Sequence, residues 1–192
     1  MLAIADASVV GNLPSLSSAD ADAVRRAVRY LYDLGHRQIA RVGGPESLAH
    51  SYIRDSAFAD VASELGMRYR CLHTDYTPET GREATKRLLA FSEHPTAIIY
   101  DNDVMALAGL GVAASQGIKV PEEISIMSWD DSLMCTAAYP NLTAMGRDVV
   151  DTGKQAAGLL LKLIGGERVG HLMEGPYELR ARASTGPAPA AE

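Results

Sequence analysis

Cysteine is scarce in these 192 residues, positive charge is not clustered, and no long apolar run occurs. The two cysteines, Cys71 and Cys135, have no metal-ligand spacing and no secretory context; they read as reduced intracellular thiols rather than a disulfide. The net charge is -6, with no basic run, so the chain itself carries no nucleic-acid footprint. Any contact with DNA would have to come from residues outside it. The apolar runs are far too short to cross a bilayer, and the N-terminus lacks a basic leader segment. A cytoplasmic protein without a membrane partner is expected.

Chemistry-bearing motifs are missing as well. The sequence contains no phosphate-binding P-loop, no nucleophile elbow and no His/Cys/Asp cluster at metal spacing. Gly109-Leu110-Gly111-Val112-Ala113-Ala114 fits a dinucleotide fingerprint formally, but it falls inside a helical pattern, where glycines serve close packing. Asp101, Asp103, Asp130 and Asp131 resemble a hard-cation set without the loop glycine and ligand rhythm of a known cage. No catalytic residue, metal or cofactor is therefore expected.

What is present is alternation. A hydrophobic content of 47% with 22% charged residues fits a globular protein able to bury a core. Strands are expected at Leu2–Asp6, Arg37–Val42, Tyr69–His73, Thr96–Tyr100 and Ile124–Trp129. Between them lie helical stripes. Val24, Ala27, Val28, Leu31 and Leu34 mark a helix opened by Asp20 or Asp22. Ile53, Ala57, Val61 and Leu65 mark the next, and Thr77-Pro78 begins one running to about Phe91. Val104 to Gly117 is another. Such βαβ alternation argues a parallel sheet flanked by helices. It breaks after Asp131. Pro140 to Met145 is a short extended piece, Val149 to Ile164 an amphipathic helix stopped by Gly165-Gly166, and Leu172 to Arg182 one or two last strands. The tail from Gly186 is expected to be disordered. In a parallel sheet, polar residues after strand ends face one crevice, which places Asn102, Asp103, Asp130 and Asp131 at one edge.

In this order, several motifs resemble the effector-binding core of the LacI/GalR family of transcriptional repressors. They are Leu34-Gly35-His36-Arg37-Gln38-Ile39-Ala40, Arg54-Asp55-Ser56-Ala57-Phe58, Asn102-Asp103-Val104-Met105-Ala106, and Val120-Pro121-Glu122-Glu123-Ile124-Ser125 with Asp130-Asp131. Pro140-Asn141-Leu142-Thr143 and Arg182-Ala183-Ser184-Thr185 complete the set. The resemblance implies a type I periplasmic-binding-protein-like α/β fold with one complete lobe and part of a second. Residues 20–139 and 172–185 would form the carboxyl-terminal, effector-binding lobe. Residues 1–18 and 142–165 would be a remnant of the amino-terminal lobe. The family's DNA-binding headpiece and the first βα units of its amino-terminal lobe do not appear in this sequence. A fragment, a misplaced start and a naturally short form all remain open. The remnant lobe is expected to be poorly covered, or to pack against a partner chain.

The resemblance also implies a small effector, a sugar, in the cleft between lobes, a homodimer, and operator DNA contacted only through a headpiece not in this chain. Arg54 is a candidate for donating two hydrogen bonds to vicinal hydroxyls or a carboxylate of the effector; the alternative is a surface pair with Asp55 or Glu64. Asp130 would accept from hydroxyls or cap the next turn. Asn102 would bind effector or cap the helix at Val104, whereas Asp103 fits the helix dipole better. Tyr76 would lay its ring on a sugar or be a half-buried loop residue. His50 lies one turn before Arg54, and Asp6 aligns with a carboxylate of the other lobe. His36, in the junction motif, fits a structural hydrogen bond. Leu107, Leu110, Leu133, Met134 and Tyr139 are the expected dimer surface. A transporter's sugar-binding protein shares the fold and would need a secretory signal. An α/β enzyme would need a nucleophile or cofactor motif.

Overall fold

The computed structural model describes residues 1–5 and 10–190; Asp6 lies outside the described residues. The elements run β1 (Ala3–Ile4), β2 (Ser15–Ser17), α1 (Asp20–Asp33), β3 (Gln38–Gly43), α2 (Ala49–Glu64), β4 (Arg68–His73), α3 (Pro78–Leu89) and β5 (Ala97–Tyr100). They continue with α4 (Asp103–Ser115), β6 (Ser125–Trp129), α5 (Leu133–Ala137), β7 (Thr143–Gly146), α6 (Val149–Ile164), β8 (His171–Met173) and β9 (Glu178–Arg180).

A six-stranded sheet has the order β4-β3-β5-β6-β7-β9, parallel throughout except for β9, which runs antiparallel to β7. Its central strands are buried on both faces, which is why they read as unbroken apolar runs. Successive side chains go to opposite faces. Ile39, Ile99, Met127 and Met145 join the core under α1 and α2, while Ala40, Ile98, Ile126 and Ala144 join the core that includes α3 and α4 residues. Thr77 caps α3 by accepting from the Thr80 amide, with Pro78 at the first helical position. Gly109 admits the Tyr100 hydroxyl, which a Cβ there would overlap, whereas Gly111 meets nothing. The close-packing reading of that glycine pair therefore holds at Gly109 alone.

A second, parallel sheet of three short strands has the order β1-β2-β8. Two expected assignments are corrected here. The Thr143–Gly146 strand belongs to the large sheet, beside β6, and His171–Met173 belongs to the small one, beside β2. An alternating strand of three or four residues carries no mark of which sheet it will join. The tail is also corrected. The Gly186 amide donates to Ser125 Oγ at 3.1 Å and the Ala188 amide to the Leu34 carbonyl at 2.8 Å, so the chain docks at least to Ala188. The small sheet is thinly covered: α6 buries only Leu159 and leaves Val149, Val150, Leu161 and Ile164 exposed, as are Leu172 and Met173.

The topology positions the site. From β3 the chain goes to β4 on one side and then returns to β5 on the other, a switch point at whose carboxyl edge the flanking loops separate into a crevice. The small sheet turns its own carboxyl ends toward the same crevice. The chain passes between the sheets after β2, after β7 and again after β8.

Candidate functional site

A cavity of about 420 Å³ opens between the carboxyl ends of the two sheets. Its large-sheet wall is built from residues following β3 (His50, Arg54), β4 (Tyr76), β5 (Asp101, Asn102), β6 (Asp130) and β7 (Arg147). Its other wall comes from residues following β2 (Ser18, Asp20) and β8 (Glu174, Tyr177), with Ile4 and Leu16 as apolar floor.

Arg54 is the centre of the arrangement. Only 8% exposed, it pairs with neither Asp55 nor Glu64. Its Nε donates to Asp20 Oδ1 at 2.6 Å, and Nη1 lies 3.5 Å from Asp101 Oδ2. The guanidinium stacks over the Trp129 ring, 4.4 Å from its centroid. Burial opposes the charge, but the carboxylates of Asp101 and Asp20 outweigh it and hold the pKa above the ordinary arginine value. Asp101 is also clamped by the buried Arg41, whose Nε donates at 2.9 Å and which also pairs with Asp55. Nη2 of Arg54 makes no hydrogen bond among the described residues.

Among the described residues, two non-glycine residues have left-handed backbones, Tyr76 (φ 69°) and Asp130 (φ 66°), and both line this cavity. Side chains resist that conformation, and such strain concentrates where function requires a particular aim. Tyr76 is held by His50, whose Nε2 lies 2.8 Å from the tyrosine hydroxyl, and by the space at Gly44, where a Cβ would fall inside the ring. Burial, assisted by the Arg54 charge, lowers the His50 pKa, so His50 is neutral at pH 7. The Asp130 carboxylate has no side-chain partner among the described residues. Burial pushes its pKa up, against the pull of Arg54 and Arg147.

Asn102 has less freedom than its position suggests. Its amide oxygen accepts from the Met105 amide at 2.8 Å and its nitrogen donates to the Tyr76 carbonyl at 3.1 Å. It caps α4 and fixes the Tyr76 loop. Asp131 pairs with Arg180 and Arg182, and no acidic cluster able to hold a metal occurs among the described residues. His36 is fully buried and bonded to Thr96, Ser125 and the Gly186 carbonyl, so its place is structural.

Sequence reasoning missed Asp20, Asp101, Arg147, Glu174 and Tyr177 as cavity residues. Asp101 was legible by the strand-end rule used for its neighbours. Asp20 looked like a helix cap, yet α1 starts without a side-chain cap and Asp20 faces Arg54 instead. Arg147 and Glu174, an ion pair joining two crossovers, had no local signal. On the expected dimer surface, Leu133 (82% exposed), Met134 (42%) and Tyr139 (98%) are open and Leu107 is partly so. Leu110, 9% exposed, is corrected: it packs into the core beneath α4 and does not belong to that surface.

A family model described as periplasmic binding protein-like domain matches residues 28–185. The HTH-type transcriptional repressor CytR of Escherichia coli K12 is 34% identical over 179 residues, covering 90% of this chain and 52% of that protein. The crystal structure of a LacI family transcriptional regulator from Bifidobacterium animalis subsp. lactis is 60% identical with a TM-score of 0.95, over 97% of this chain and 69% of that one. A dimeric Lac repressor with an 11-residue C-terminal deletion is 27% identical with a TM-score of 0.88, over 98% of this chain and 68% of that one. The architecture is thus that of a periplasmic-binding-protein-like core. The chain belongs to the LacI/GalR family of transcriptional regulators. It spans about half the length of the curated relatives it matches.

Proposed function

We propose that this chain is the effector-sensing and dimerisation unit of a cytoplasmic DNA-binding repressor, and that a sugar binds in the cavity between the two sheets. The observation that supports this most is Arg54. It is oriented by Asp20 and Asp101 while keeping an uncommitted N–H group, and it lines the same cavity as Asp130, whose carboxylate is unpaired among the described residues. A sugar hydroxyl accepts from the first and donates to the second, and the Tyr76 ring offers an apolar face. Operator DNA is contacted through a headpiece outside this chain, consistent with its net charge of -6.

Effector binding acts by preferring one arrangement of the two sheets, since a ligand shifts a conformational equilibrium only by its differential affinity. The three crossovers are the segments where that shift is carried, and Asp20, Arg147 and Glu174 sit on them. The dimer forms through Leu133, Met134 and Tyr139 with Leu107, the exposed apolar residues on and around α5.

Titration calorimetry against a panel of free sugars tests the site. A saturable heat without turnover of the ligand is expected. It should weaken at least about tenfold in Arg54→Ala, the loss of one charged hydrogen bond being worth about 1.5–3 kcal/mol. Equal affinity in the variant would remove the cavity as the binding site.

A further inference from the structure

The cavity's charges do not balance, and the imbalance selects a ligand class. Among the described residues, four carboxylates line it (Asp20, Asp101, Asp130 and Glu174) against two guanidiniums, Arg54 and Arg147. Behind that lining, Arg41 and Asp55 add one charge of each sign and leave the excess unchanged.

Both lining arginines already have carboxylate partners, although the buried Nε of Arg147 and Nη2 of Arg54 make no hydrogen bond among the described residues. Arg54 lies against Asp20 and Asp101, and Arg147 against Glu174. Glu174 is itself fixed, its second oxygen accepting from the Thr152 hydroxyl at 2.7 Å and its amide donating to the Ser17 carbonyl at 2.9 Å. It therefore cannot swing away to free Arg147. Of the charged groups that line the cavity, the one without a charged partner among the described residues is an anion, Asp130. A phosphate entering here would meet like charge and find no uncompensated cation, whereas phosphate sites supply arginine forks or a run of backbone amides. An ammonium could donate to Asp130 but could not accept from Arg54. A neutral hydroxyl does both.

Building on the reading of this cavity as the effector site, we infer that the effector is an uncharged polyol, and that Glu174 and Asp130 exclude its phosphate esters. The regulator thus reports the free sugar rather than its phosphorylated form.

Calorimetry on the protein with matched pairs tests this: glucose and glucose 6-phosphate, ribose and ribose 5-phosphate, adenosine and adenosine 5′-monophosphate, with glucosamine and inorganic phosphate alone as charged controls. The expected result is binding of an uncharged member at least about tenfold tighter than its ester, with an affinity unchanged between low and moderate salt. In Glu174→Gln, which leaves Arg147 unmatched, the ratio should move at least about threefold toward the ester. Should that variant not fold, the salt dependence in the parent decides. An ester or inorganic phosphate binding as tightly as the free sugar, or a preference for glucosamine over glucose, overturns this inference and leaves the effector cleft standing. Absence of binding by every member of the panel overturns the cleft reading and this inference with it.

Discussion

Arg54 and Asp20 are joined by a 2.6 Å hydrogen bond between the second turn of α2 and the first residue of α1, and Asp20 follows directly on the crossover leaving β2. The residue best placed to hold a ligand is thereby tied to a segment that connects the two sheets. In the proposed mechanism, effector contact and sheet orientation share one carboxylate. Asp20→Asn, which keeps the shape and removes the charge, should lower effector affinity about threefold to tenfold while costing about 1–3 kcal/mol in stability. Paired calorimetry and urea unfolding check this. Unchanged affinity with lowered stability would reduce Asp20 to a structural role.

The Arg41–Asp101 pair is fully buried beneath the cavity. Removing Asp101 leaves the buried Arg41 with only the partly exposed Asp55 as counter-charge and takes one of two carboxylates from Arg54. Asp101→Ala should therefore destabilise the protein by about 3–5 kcal/mol, far more than loss of an exposed pair such as Arg29–Glu64, which is worth about 0–1 kcal/mol. Urea unfolding of the two variants side by side gives the comparison.

His36 gives the fold a pH dependence of definite sign. Burial lowers its pKa below the ordinary 6.5, opposed by its bond to the Gly186 carbonyl and aided by the Arg37 charge. The unfolded chain thus takes up a proton at a higher pH than the folded one. The stability contributed by neutral His36 is complete above about pH 6.5 and is lost as pH falls through the lowered value. Unfolding at about pH 7.5 and about pH 5.5 should show a smaller drop in His36→Gln than in the parent.

Leu133 and Met134 are large apolar side chains exposed on α5, beside the still more exposed Tyr139. Replacing both Leu133 and Met134 by glutamate should leave the unfolding free energy within about 0.5 kcal/mol of the parent, as for surface changes generally, while weakening the proposed dimer in sedimentation. The same replacement at Leu110 should instead destabilise the monomer, because that side chain lies in the core.

The large sheet was readable because its strands are buried on both faces, and a short apolar run bounded by Gly or Asp suits a buried parallel strand better than a surface helix or a loop. The site was readable where it sits at the ends of those strands. Arg54, Tyr76, Asn102 and Asp130 come together around one cavity, although Asn102 is occupied at both ends of its amide. The opposite wall was hidden for a physical reason. Asp20 and Arg54 are 34 positions apart, and Arg147 and Glu174 are 27 apart, so their contacts depend on how the crossovers bring two sheets together. The small sheet's strands, two or three residues long, give too little periodicity to assign to a partner.

Trp129 is the one tryptophan of the chain, and it lies directly under the Arg54 guanidinium, 4.4 Å from ring centroid to charge centre. Its emission therefore reports on the proposed contact without a label. Titrating free sugars while recording Trp129 fluorescence should give a saturable change in the parent protein and none over the same range in Arg54→Ala. A saturable change of equal midpoint in Arg54→Ala, or binding heat from a sugar with Trp129 emission unmoved, would contradict the assignment of this cavity as the effector site.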